Sequence, residues 1–153
     1  MFDSFGICYN MVKEEVSMPR IHKKTFFQTD LDILWNIITD NHNYSWRSDI
    51  KEIKIINDRK FVEVCNDGIE TEFVIITKDK NKKYEIDFEN VNIKGHWVGL
   101  FHLTTQGVEL DMVEDVEAKK TYIKPFIQSS LKKKREHYLE DIRRAVVSQM
   151  KEK

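Results

Sequence analysis

The chain is poor in the residues that mark several protein classes. It has two cysteines, Cys8 and Cys65, in 153 residues. They lie far apart and neither sits in a CxxC or CxxxH arrangement. That excludes a disulfide scaffold and points to a reducing compartment, the cytoplasm. Two prolines and five glycines exclude collagen-like, proline-rich and glycine-rich linker proteins. No apolar run approaches the ~20 residues that cross a bilayer, so stable membrane insertion is not expected. An excess of one charge is missing too: 25 basic and 26 acidic residues leave a formal charge of -1. A general nucleic-acid binder is usually strongly basic, so nucleic acid is not an expected partner. The HExxH, GxGxxG, GxxxxGK and GxSxG patterns do not occur, and none of His22, His42, His96, His102 and His137 stands at ligand spacing from another. No metal and no cofactor is therefore expected.

What is present suits one soluble domain with a single core: 41% apolar and 33% charged residues. Residues 1–17 read as an N-terminal extension, without the basic start, long apolar run and cleavage site of a signal peptide. Residues 18–153 read as the domain. Arg20 to Phe27 reads as a strand. Thr29-Asp30 then gives a helix start, followed by Leu31, Leu34, Trp35 and Ile38 at spacings of a helix. The helix should stop near Asp40-Asn41, and Asn43 to Arg47 reads as a second short helix or a turn. The period then changes from 3.6 to 2. Strands are expected around Ile53 and Ile55, Phe61 to Cys65, Thr71 to Ile75, Tyr84 to Phe88, Ile93 to Leu103, and Val108 to Val116. Asn66-Asp67-Gly68 is a hairpin signal. Tyr122 to Met150 carries Ile123, Ile127, Leu131, Tyr138, Ile142 and Val146 on one stripe, and its Pro125 stands where a first helical turn tolerates proline. Such a helix is about 43 Å long at ~1.5 Å per residue and needs a broad surface to lie across. Strands followed by one terminal helix define an α+β layer fold: a curved antiparallel seven-stranded sheet around a long C-terminal helix, with two short helices after the first strand.

Four stretches in this order resemble the helix-grip superfamily that contains the START lipid-transfer domains, the birch-pollen allergen group and bacterial polyketide cyclase/dehydrase-like proteins. They are Leu31 to Ile38, Tyr44 to Asp49, Lys94 to Gly99, and Glu114-Asp115-Val116 with Tyr122 to Phe126 and Leu131 to Arg135. The resemblance covers roughly residues 19–150. It implies an apolar cavity between sheet and helix that holds lipids, polyketides or other flat apolar molecules. It carries over no catalytic set, and a fold by itself assigns no reaction.

The inward faces of the strands bring together Phe73, Tyr84, Phe88, Trp97, Phe101 and Met112, which would either fill a core or line a cavity. Gly95 and Gly99 share that parity and would leave room for a guest, giving a cavity of a few hundred Å³ in the usual ligand range of about 300–1,000 Å³. Trp46 would form a further wall, and Ile127 and Leu131 the lid. Glu63 and Glu114 break the apolar alternation on inward parity. A buried carboxylate needs a cation, a donor network or water. Arg47 is the nearest such cation in the sequence. The pair would be either an internal salt bridge or a polar anchor, and one carboxylate could serve as a general acid or base. Cys65 reads as a small buried residue. Charge is uneven: residues 119–153 hold eleven basic and four acidic residues, and residues 1–118 hold fourteen and twenty-two. The run Lys132 to Arg135 is either a solvated helix face or a surface that attracts an anionic head group or touches a membrane transiently. Three functions stay open: a carrier or sensor of a small apolar ligand, a cyclase- or hydratase-type enzyme using Glu63 or Glu114, and an interaction module with a filled core. Nothing in the pattern sets an oligomeric state.

Overall fold

A computed structural model describes residues 20–152. The expected extension at residues 1–17 and the domain boundary at residue 18 lie outside the described residues. Seven strands and two α-helices follow in the order β1 (Arg20–Phe27), α1 (Leu31–Thr39), β2 (Ile50–Asn57), β3 (Lys60–Cys65), β4 (Glu70–Asp79), β5 (Lys83–Glu89), β6 (Ile93–Leu103), β7 (Val108–Ala118) and α2 (Lys124–Glu152). All strand pairs are antiparallel, in the spatial order β1-β7-β6-β5-β4-β3-β2. Six strands thus form a meander, and β1 closes on β7 from the other end. One curved sheet with a long terminal helix is the helix-grip architecture.

The turns follow from local chemistry. Gly68, at φ +91°, takes the left-handed position of the Asn66-Asp67-Gly68 turn and its N–H donates to the Cys65 carbonyl. The second short helix expected over Asn43 to Arg47 does not form. The segment folds as successive turns, because its polar side chains and indole capture backbone groups a helix would use. The His42 N–H donates to Asp40 Oδ1, and Trp46 Nε1 donates to the Asn43 carbonyl. The long helix starts later than Tyr122: a single 3₁₀ turn over Thr121–Ile123 precedes it, and Pro125 falls in its first α turn.

The core fills the space between the sheet and the helices. Phe27, Leu34, Val108, Leu110, Val116 and Ile142 are almost wholly enclosed. Trp35 of α1 meets Phe101 at 5.0 Å and Tyr84 at 6.2 Å, both edge-on. On α2 the buried stripe is Ile127, Leu131, Leu139, Ile142, Ala145 and Val146. Each large aliphatic there contributes about 1.5–3 kcal/mol by leaving water. Two large apolar residues of the expected strands are exposed. Leu103 lies at the end of β6 beside the turn and is 67% exposed. Ile55 lies next to a register shift on edge strand β2 and is 42% exposed, whereas Ile53 stays inward.

Candidate functional site

Cross-strand register places the inward residues in rows, since partners directly opposite share a face. One row runs Phe61, Phe73, Phe88, Gly95 across four strands. Phe61 and Phe73 stack at 4.9 Å and 4°, and Phe73 meets Phe88 at 5.8 Å. A second row runs Ile86, Trp97, Glu114, Ile21. Above them α2 presents Leu131, Lys134, Arg135 and Tyr138, whose spacing of three, four and seven makes one helix face. The loop after α1 supplies Trp46 and Arg47. Between these walls lies a cavity of about 180 Å³.

The cavity is smaller than the few hundred Å³ expected, and the glycines explain why. A Cβ on Gly95 would stand 2.6 Å from Cε2 of Phe88 and 2.8 Å from the Asp115 carbonyl oxygen. A Cβ on Gly99 would stand 2.5 Å from the Trp97 ring. The two glycines therefore make room for the chain's own rings, one from the next strand and one from the same strand, and not for a guest.

Eight of the expected lining residues surround the cavity: Trp46, Arg47, Phe73, Tyr84, Phe88, Trp97, Met112 and Leu131. Both candidate carboxylates, Glu63 and Glu114, reach it as well. Phe101 and Ile127 do not. Phe101 is spent on Trp35, and Ile127 is 5% exposed in the core near the start of α2, away from the cavity wall. Tyr138 was placed on the helix stripe but not seen as a wall, and the run holding Lys134 and Arg135 reads in the sequence as either a solvated face or a surface for an anionic head group. Their spacing from Leu131 was the available signal. Lys132 and Lys133 of the same run are exposed.

The two carboxylates differ in company. Arg47 grips Glu63 with both terminal nitrogens, at 3.1 and 3.3 Å, and Asp49 through Nε at 3.0 Å and Nη2 at 3.1 Å. Its guanidinium also lies 5.6 Å from the Trp46 ring and 5.1 Å from the Tyr138 ring. Burial works against its charge, yet Glu63 and Asp49 outweigh burial and raise its pKa. Burial likewise opposes ionisation of Asp49, but its hydrogen bonds with Arg47 hold that carboxyl below its ordinary value. Burial pushes the Tyr138 phenol up, against the pull of Arg47. The loop carrying Arg47 is fixed from the other side by Asp141 of α2, which is 1% exposed. Asp141 accepts from the Ser48 N–H at 2.8 Å and the Ser48 hydroxyl at 2.9 Å, and pairs with Arg144.

Glu114 has no hydrogen bond and no ion pair among the described residues. It sits in its row between Trp97 and Ile21, and burial pushes its carboxyl up to about 7. Arg135 and Lys134 oppose that rise from across the cavity without touching it, and Asp115 adds to it. Burial also pushes the Tyr84 phenol up to about 12, with the Asn41 side chain acting the other way. The arrangement thus offers an aromatic chamber with one closed ion cluster and one open carboxyl. Among the described residues no group of histidines, cysteines and carboxylates could hold a metal ion, and no helix is long and apolar enough to cross a membrane.

No protein-family model matches the chain, and no curated protein matches its sequence. Solved structures do share its fold. A START superfamily protein from Mycobacterium smegmatis superposes with a TM-score of 0.76 at 15% identity, over 85% of this chain and 98% of that one. Ara h 8.0201 gives a TM-score of 0.71 at 11% identity, over 86% and 99%. The di-domain ARO/CYC StfQ from the steffimycin biosynthetic pathway gives 0.74 at 9% identity, over 92% of this chain and 54% of that one. Identities this low establish the architecture: it is the helix-grip fold of START/SRPBCC superfamily structures, polyketide cyclase-like ones among them.

Proposed function

We propose that the chain binds a small apolar molecule of about one ring in the cavity between sheet and α2. The observation that carries this reading is the chamber itself. Phe73, Phe88, Trp97 and Met112 face a space of about 180 Å³ roofed by Leu131 and Tyr138. An apolar cavity of about 150 Å³ in another protein is enough to hold benzene. Affinity would come from apolar area removed from water, at ~25 cal/mol per Å² before ordering costs. Glu114 is the polar anchor, while Glu63 and Arg47 shape the wall. Titration calorimetry with ethylbenzene tests the proposal. A saturable one-to-one heat with a negative heat-capacity change is expected, lost in Met112→Trp, which fills the space. No heat with the wild-type protein refutes the reading.

A second reading rests on Glu114 specifically. A carboxyl titrating near 7, unpaired and facing an apolar chamber, suits general acid–base work on a bound polyketide-like substrate. It requires turnover that vanishes in Glu114→Gln while binding survives. Turnover that persists in Glu114→Gln removes Glu114 as the acid–base group, and absence of turnover in the wild-type protein leaves the carrier. The cavity favours these two readings over an interaction module with a filled core.

A further inference from the structure

Beside the apolar walls of the cavity stand two polar groups without partners among the described residues, one on α2 and one on β7. Nη1 of Arg135 is enclosed by protein and has no hydrogen-bond partner among the described residues, although the side chain lines the cavity. A buried guanidinium donor left unpaired is costly, and surface arginines avoid the cost by reaching water. Facing it, Glu114 also lines the cavity and makes no hydrogen bond or ion pair among the described residues. The two groups feel each other electrostatically and do not close on one another. The other arginine of the cavity behaves differently, for Arg47 is saturated by Glu63 and Asp49. Lys134 stands beside Arg135 and adds positive charge that also reaches Asp49.

We infer that Arg135 and Glu114 form a two-point subsite for the carboxylate of a small amphipathic acid, with Lys134 as supporting charge. One oxygen of the guest accepts from Arg135 Nη1. The other accepts the proton that Glu114 carries, so that the two carboxyl groups share one proton. Charge-assisted bonds of both kinds are the stronger hydrogen bonds, and Arg suits a carboxylate better than Lys because its donors form a fixed fork. The volume limits the apolar part to about one ring or a short chain. The guest class is therefore a monocyclic aromatic acid or a short alkyl acid, its tail among Phe73, Phe88 and Trp97. This inference rests on the binding reading above, which a neutral guest would satisfy equally well.

The experiment is a matched pair of probes, 4-ethylbenzoate and 4-ethylbenzamide, titrated into the full chain. The benzoate is expected to bind at least about ten-fold more tightly than the amide. Arg135→Met should erase that preference, bringing the benzoate-to-amide affinity ratio to within about two-fold of unity, whatever it does to the binding of each probe. Glu114→Gln should keep most of the preference, since its amide N–H still donates to the guest. Should Arg135→Met unfold, the benzoate-to-amide ratio of the wild-type protein decides alone. Equal binding of the two probes overturns the subsite and spares the cavity reading. Binding of neither overturns both.

Discussion

Glu63 and Glu114 are the same residue type on the same face of one sheet, and their surroundings set them to different tasks. Glu63 meets a guanidinium that is itself forked onto Asp49 and covered by Trp46 and Tyr138. Glu114 meets Trp97 and Ile21 in its row and two cations that stop short of contact. A satisfied buried ion cluster holds geometry, whereas an unpaired buried carboxyl holds a proton and remains open to a guest. Inward parity alone identifies both residues; only the third dimension divides them.

The comparison is broken most forcefully at Arg47. Arg47→Met leaves Glu63 and Asp49 without their cation inside the structure. Loss of about 3–5 kcal/mol is expected from the urea midpoint, since removing one partner strands the other charges. A loss below about 1 kcal/mol would mean the cluster is solvated and the contrast with Glu114 is unfounded.

A smaller effect should separate the carboxylates by pH. The folded-state pKa of Glu114, at about 7, lies above its ordinary value of 4.5. The folded state then holds a proton that the unfolded state releases. Its contribution to stability is complete below pH 4.5 and is lost as pH rises through about 7. At ~1.4 kcal/mol per pKa unit the loss is at most about 3–4 kcal/mol. Glu114→Gln should remove this slope, so the difference between variant and wild-type urea midpoints should grow between those two pH values. Glu63→Gln should cost stability for a different reason, because it weakens the grip on Arg47. Parallel profiles for Glu114→Gln and wild type would show that the carboxyl is not desolvated.

Gly95→Ala sharpens the cavity side of the argument. Its Cβ would press on Phe88 and on the Asp115 backbone, and overpacking of this kind costs about 1–3 kcal/mol. A neutral outcome would mean that Phe88 swings aside easily and that the chamber is larger than about 180 Å³. The smallest effect belongs to the outer face of the sheet. There Arg20, His22 and Lys119 reach Asp115, Asp111 and Glu89 from the solvent side. Removing any of these three basic side chains should leave the unfolding midpoint where it is.

Much of this fold was legible because period and turn chemistry agree along the chain. Alternation in Tyr84 to Glu89 and the stripe of α2 fix what faces inward, and the Asn-Asp-Gly turn fixes a hairpin. That Arg47 could serve an inward carboxylate was legible for a related reason, as both interrupt apolar surroundings; that it takes Glu63 and not Glu114 was not. The misreadings came from questions that one-dimensional spacing does not answer. Gly95 and Gly99 signal missing side-chain volume, but which neighbour takes that volume depends on register and rotamer. Phe101 has the right parity for the cavity, yet Trp35 reaches it from another element. Asp141 was overlooked because a charged residue within an apolar stripe looks solvent-facing until Ser48 is brought against it from 93 residues away. Arg135 was hidden in a basic run whose other members, Lys132, Lys133 and Lys134, are exposed, and of those three only Lys134 also reaches the cavity.

The account stands on space that an apolar guest can enter beside Glu114. Crystals pressurised with xenon test it most directly, because xenon occupies apolar cavities without needing a polar partner. Xenon density among Phe88, Trp97 and Met112 is the expected result. A xenon-free interior, with those side chains packed against Leu131 and Tyr138, would contradict it.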